Sequence, residues 1–350
     1  MHTHTSHHRL PPGPALALLA VGLLLMVVLA TGLGYIAVSP GEVVRILAAR
    51  LLGDPSHLEG MNRLLPAVVW EVRLPRILAA VVVGAGLAGA GVVFQGILLN
   101  PLADPFTLGV SSGAAFGASL ALLAGLELAG PYAVALAAFT GAVLTLLVVV
   151  RLSLVDGQVN PTSLILSGVI VAAILSAGIS LMKYLAEEQV AVIVFWLMGS
   201  LVSKTWLEVG MVSAFTAAGL GVCLYYARDL NLVCLGERSA RSLGVDTRRL
   251  RLILLVAASL VSAACVAVAG IIGFVGLLIP HLLRLLVGPD HRWLLPASAL
   301  AGGMLLLVAD TLTRAVLPHE VPIGVLTAVL GGPFFCYVFR RHQLGRLRRG

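Results

Sequence analysis

The stretch ILAAVVVGAGLAGAGVVFQGILL, residues 77–99, decides between two very different folds. Within it GAGLAG, Gly84 to Gly89, satisfies G-x-G-x-x-G, and Asp104 falls 20 residues after Gly84, as a dinucleotide-binding fingerprint would require. Such a fingerprint needs a strand, a tight turn and a helix with a polar outer face. This run carries no charged residue from Ile77 to Leu99, so it has no polar face and no break. At about 1.5 Å per residue it is long enough to cross about 30 Å of hydrocarbon. Gly84, Ala88 and Gly91 then read as a small-residue seam along which another helix can approach closely.

The rest of the chain agrees with a membrane reading. Its 350 residues are 59% hydrophobic and 11% charged, with a mean hydropathy of +1.03, which is too apolar for a soluble globule. Cutting at charges and at Pro/Gly turns leaves ten candidate spans: 14–38, 75–99, 107–126, 131–151, 161–185, 207–227, 251–270, 274–288, 294–316 and 322–339. The fold class expected is an all-α polytopic membrane protein of about ten transmembrane helices. Residues 1–13 form a cytoplasmic tail, 14–340 the transmembrane domain and 341–350 a basic tail. The first run exceeds the core of a signal peptide and is read as a retained helix. Gly273, Gly276 and Pro280 are expected to bend or break the short eighth span.

Charge sets the orientation. With the N-terminus inside, the inner loops hold 15 of the 23 Lys and Arg, and the outer loops hold 8 together with 9 of the 16 acids. Both ends are therefore expected in the cytoplasm. The largest inner insert, RDLNLVCLGERSARSLGVDTRRLR from Arg228 to Arg251, reads as two short helices: Glu237 and Arg241 are spaced to pair, Gly244 suits a C-cap and Asp246 the next N-cap. Leu232, Leu235 and Leu243 would leave one apolar edge, fit for a partner's groove or for lipid headgroups, with the groove preferred. Outside, SPGEVVRILAARLL (Ser39–Leu52) reads as an interfacial helix, and the segment Glu187–Trp206 carries interface aromatics.

Several motifs imply no chemistry of their own. Cys223, Cys234, Cys265 and Cys336 lack paired spacing, so neither a zinc site nor a disulfide framework is indicated, and the opening MHTHTSHH reads as a polar tail. The net charge of +7 belongs to membrane orientation and not to nucleic acid. No phosphate-cradling G-x-x-x-x-G-K-[ST] loop occurs, and no nucleophile, base and orienter stand at a recognisable spacing, so an enzyme is not expected. Asp310 lies in an otherwise apolar run, where an unpaired charge costs about 2.5–3.5 kcal/mol, and Arg314 is four residues on. An ion pair is the preferred reading. A proton-coupled secondary transporter using Asp310 is the alternative, and His281 reads as a packing histidine.

Four stretches together resemble a known family: RLPRILAAVVVGAGLAGAGVVFQGILLNPLADPFTLGVSSGAAFG, LGERSARSLGV, GIIGFVGLLIPHLLRLLVGPDHRWLLP and VPIGVLTAVLGGPFFCYVF. The chain is similar over roughly residues 35–340 to the FecCD/BtuC family of ABC importer permeases, the type II importers that carry ferric siderophores, haem or vitamin B12. The resemblance implies a homodimer of ten-helix subunits in the bacterial inner membrane, in contact with lipid. It further implies two cytoplasmic ATPase subunits that hold ATP and Mg, and a periplasmic substrate-binding protein, with no cofactor on this chain.

The resemblance also implies site residues. A cytoplasmic gate falls on Asn100 and Leu102, in the helix-breaking NPLADP, with Thr162 and Ser163 as the facing pair; from the residues alone this stretch is a turn capped by Asp104 and Ser111 to Gly113. The ATPase-coupling helices fall on Leu232, Leu235, Gly236, Glu237, Ala240, Arg241 and Gly244, and binding-protein docking on Arg73, Arg76 and Arg314.

Overall fold

Each long apolar run becomes a helix, and the loops between them carry the charge. The structure, a computed structural model, describes residues 11–347 apart from Tyr35, Glu59, Pro131, Asp156, Gly157 and residues 316–319. The His-rich opening lies outside the described residues. In chain order the helices are α1 (Pro12–Gly32), α2 (Pro40–Leu52), α3 (Leu64–Ala67), α4 (Leu74–Ile97), α5 (Val110–Leu123), α6 (Ala133–Leu152), α7 (Pro161–Leu185) and α8 (Val190–Leu197). They continue with α9 (Trp206–Tyr225), α10 (Ala227–Cys234), α11 (Glu237–Ser242), α12 (Thr247–Ala269), α13 (Val275–Leu286), α14 (His291–Ala315) and α15 (Ile323–Leu347). The only strands among the described residues, Leu154–Val155 and Gln158–Val159, pair antiparallel just before α7.

Seven of these helices are long and apolar enough to cross a membrane, and three shorter apolar ones, Val110–Leu123, Val275–Leu286 and Ile323–Cys336, bring the total to the ten expected. The differences lie at the ends, and each has a local cause. α5 begins only after Gly109, left-handed at φ +75, because Pro101 and Pro105 keep the preceding stretch out of the helix. α13 begins after Phe274, left-handed at φ +67, and runs through Pro280. α1 stops at Gly32 and not at residue 38. α4 is reached without interruption from Leu64, through a wide π turn at Val68–Arg73 that the charges Glu71 and Arg73 conceal in the sequence. α2 forms as expected on a capping box, Ser39 with Glu42.

The small-residue seam is used as read. α4 is buried along nearly its whole length and is flanked by α14, α13, α12 and α9. A Cβ on Gly84 would overlap the carbonyl of Gly302 in α14, and one on Gly302 would overlap Ala88. About two turns further, a Cβ on Gly91 would overlap the backbone of Gly276 in α13. Neither helix has another way to come so near, because lipid offers no hydrophobic drive toward helix contact and packing itself must supply the attraction.

Gly91→Ala and Gly84→Ala are expected to destabilise the protein by about 1–3 kcal/mol or more through overpacking. Gly210→Ala, where nothing lies within 4 Å, should cost nothing and can gain about 0.5–1 kcal/mol of helix propensity. Thermal unfolding of the purified variants in detergent checks the contrast.

Candidate functional site

The polar groups gather at the two ends of the bundle. At one end, residues 98–109 form the helix-breaking turn. Asn100 Oδ1 accepts from the Leu102 N–H at 3.0 Å, and Asp104 Oδ1 accepts from the N–H groups of Phe106 (3.0 Å) and Thr107 (2.9 Å). Asp104 thus does the capping. Ser111 does not share it: among the described residues its Oγ is buried without a partner. Burial pushes the Asp104 carboxyl up to about 6, against the two amide hydrogen bonds that favour its charge. Asn160 caps α7 by accepting from Thr162 N (2.9 Å) and Ser163 N (3.1 Å). Leu102 and Thr162 are exposed, and no hydrogen bond among the described residues joins the two expected gate pairs.

The insert lies at this same end. Glu237 receives Arg241 at 2.6 Å within α11 and Arg251 of α12 at 3.2 Å, so the short helix is bolted to a long one. Gly236 (φ +119) and Gly244 (φ +84) turn the chain before and after α11, and Asp246 caps α12 through the Arg249 N–H at 3.1 Å. Leu235 and Leu243 stand out, 74% and 64% exposed. The third expected member of the apolar edge, Leu232, packs against the core instead, and Ala240 of the expected coupling set is fully buried, because α10 and α11 each turn one face onto the bundle. Beside the insert opens a pocket of about 550 Å³ lined by Gln95, Asn100, Asn231, Leu235, Arg284 and His291.

At the other end Arg73, Arg76 and Arg314 do cluster, but with their charge turned inward. Arg73 donates to the carbonyls of Thr31 and Ile36, and Arg314 to those of Ala30 and Leu33, so both hold the turn between α1 and α2. Arg76 Nε donates to Asp310 at 2.8 Å and its Nη1 to Glu320 at 3.0 Å. The sequence reading gave Asp310 to Arg314; the nearer partner is Arg76, with Arg314 Nε 3.9 Å away, because α4 packs directly against α14. The expected exposed docking face is likewise corrected: Arg73 and Arg76 are buried, and it is Glu320, the partner of Arg76, that is exposed.

Sequence reasoning missed Glu320, the Arg284–Gln95 hydrogen bond (3.0 Å) and the contacts of Asn231 with Asp290 (2.7 Å) and His291 (3.0 Å). No spacing rule could find partners 59 to 244 residues apart. Among the described residues no group of three or more His, Cys, Asp or Glu is placed to hold a metal ion.

Removing one member of the buried pair, by Arg76→Met or Asp310→Leu, should cost about 3–5 kcal/mol, and the double variant should recover much of that. Thermal unfolding in detergent reads both. For Asp104 the folded carboxyl titrates above its ordinary value, so its contribution is full at low pH and is lost as pH rises through about 6. Stability should therefore fall between about pH 4 and 6 in the parent chain and less so in Asp104→Asn, measured by melting across that range.

Comparisons with known proteins bear on the whole architecture. Residues 22–341 match the FecCD transport family. The chain is 43% identical over 289 residues to the cobalamin import system permease protein BtuC of Halobacterium salinarum, covering 82% of this chain and 77% of that one. It is 39% identical to the hemin transport system permease protein HmuU of Yersinia pestis, covering 92% and 94%. A solved structure described as an inward-facing conformation of a metal-chelate type ABC transporter superposes with a TM-score of 0.80 at 36% identity, covering 93% of this chain and 98% of that one.

Proposed function

Because this chain belongs to the FecCD transport family, we propose that two copies of it form a conduit that carries a metal chelate or corrinoid inward at the expense of ATP hydrolysed on other subunits. The chain is a multi-pass membrane permease subunit of an ABC importer. In the proposed assembly it sits in a bacterial-type inner membrane with both ends cytoplasmic. Two ATPase subunits holding ATP and Mg meet the insert, and a binding protein delivers cargo at the outer end. The cargo is an iron chelate, as a ferric siderophore or haem, or cobalamin.

One observation carries this reading: the insert is a rigid knob. Leu235 and Leu243 project from a frame that Glu237, Arg241 and Arg251 clamp to α12. A segment resting on headgroups gains nothing from such a frame, whereas a segment that receives force from a partner requires one. Pairing of two copies follows from the family reading, and α7 and α15 leave Leu166, Ile170, Ile174, Val329 and Leu330 uncovered for lipid or a second copy. These surfaces are aliphatic and uncharged, so the choice of cargo falls to the delivering protein. Asn100 and Leu102, with Thr162 and Ser163, form the cytoplasmic gate, since their side chains sit at element ends whose backbone is fixed by Asn and Asp caps. The docking end is proposed where Glu320, exposed and paired with Arg76, offers a carboxylate that one of the delivering protein can replace.

The proton-coupled reading loses its carrier. Asp310 is fully buried and paired with Arg76 at 2.8 Å, with Arg314 Nε 3.9 Å away, so its contacts are those of a structural ion pair.

Leu235→Asp combined with charge reversal at Glu237 is expected to weaken ATPase binding by about 10–100-fold, the value of one buried leucine, and to abolish ATP-driven uptake. Pull-down of the ATPase with the tagged permease and uptake into proteoliposomes measure this. Unchanged capture together with unchanged uptake would remove the proposal.

A further inference from the structure

The insert is fastened on its other side too, to α14. Asn231, in α10, donates from Nδ2 to Asp290 Oδ1 at 2.7 Å, while its Oδ1 accepts the His291 N–H at 3.0 Å and faces His291 Nδ1 at 2.6 Å. An amide oxygen only accepts, so His291 carries its hydrogen on Nδ1, and all three contacts are satisfied at once. Asp290 in turn caps α14, accepting the Arg292 N–H at 3.1 Å and the Arg292 guanidinium at 2.6 Å. One side chain of the insert therefore grips the first turn of α14 at its cap and at the buried His291 ring. The ring has room because residue 96 is glycine: a Cβ there would sit 3.0 Å from His291 Nε2.

α14 then runs the length of the bundle. Midway it meets α4 at Gly84 and Gly302, a narrow backbone contact. At its far end Asp310 and Arg314 hold Arg76 and the turn after α1. A stiff helix with a grip at each end and a close glycine contact between them can pass a displacement from one face of the membrane to the other.

We infer that Asn231 is the positioning residue through which movement of the insert is transmitted along α14 to the outer cluster around Asp310. This rests on the reading above that ATPase subunits act on the insert. It requires that breaking the Asn231 junction separates the two ends without removing the ATPase subunits.

The test uses the full complex with its ATPase subunits and binding protein in nanodiscs. Asn231→Asp sets two carboxylates against each other, whereas Asn231→Asp with Asp290→Asn restores a donor–acceptor match. Two quantities are read: the ratio of ATP hydrolysis with and without binding protein, and the ATP-dependent change in amide hydrogen exchange at residues 30–38 and 310–315. In N231D the ATPase subunits should still co-purify, the ratio should fall by about tenfold or to unity, and the exchange change should vanish; the double variant should recover both. A merely structural contact would lower the melting temperature and leave the ratio and the exchange response intact. Should N231D fail to fold, Asn231→Ala removes the same contacts without adding charge and reads the same ratio. A retained ratio, or a double variant no better than the single one, overturns the inference. Failure of the ATPase subunits to co-purify with the parent chain instead overturns the functional reading, and this inference with it.

Discussion

Close backbone contact at α4 is the constraint on which the arrangement rests. In a bilayer the helices gain nothing by hiding apolar side chains from their surroundings, so attraction must come from dispersion at short range. Gly84 against Gly302 and Gly91 against Gly276 bring three backbones nearer than any side chain would permit. That makes α4 the axis of the bundle, buried from Leu74 to Ile97, with α14 and α13 laid on it. The same four glycines make a nucleotide-binding reading of GAGLAG untenable, since the space that a pyrophosphate would need is filled by Gly302 and its neighbours.

Polar groups are then confined to where the packing leaves room and where each can be satisfied. Asp310 is tolerated in an apolar helix because α4 delivers Arg76 to it at 2.8 Å, and Arg76 finds a second carboxylate at Glu320. Arg73 and Arg314, which have no carboxylate as near, spend their donors on the carbonyls that α1 leaves open at its C-terminal end, Ala30 to Leu33. The irregular stretch after α4 is stabilised in the same manner from its own sequence, by Asn100 and Asp104 accepting the next amides. Each end of the bundle is thus a fixed polar structure, and the middle is an almost featureless apolar contact. A transport subunit built so can shift as rigid pieces, because little in its centre must break.

The insert is built on the same rule. α10 and α11 bury one face on the bundle, through Leu230, Val233 and Ala240, and present Leu235 and Leu243 outward. Their ionic bolt to α12 and their amide bolt to α14 make them part of the frame. An outside push on the leucines is therefore felt by two long helices that both pack on α4.

What could be read from the sequence is what one helix or one turn decides alone. Ten apolar runs, the Ser39–Glu42 capping box, the Glu237–Arg241 pair at four residues' spacing, the Asp246 cap and the Gly84/Ala88/Gly91 seam follow from the geometry of a single segment. What tertiary structure alone decided is which segments meet. Asp310 was assigned to Arg314 because four residues make neighbours on a helix, yet the closer cation comes from 234 residues away on α4. Ala240 matched the pattern of a partner-facing helix but faces inward, and three arginines expected on the outer surface are drawn in by carbonyls and carboxylates beside them. The reason is physical: periodicity fixes which residues share a face, but only the packing of helices at their small residues fixes what each face looks upon.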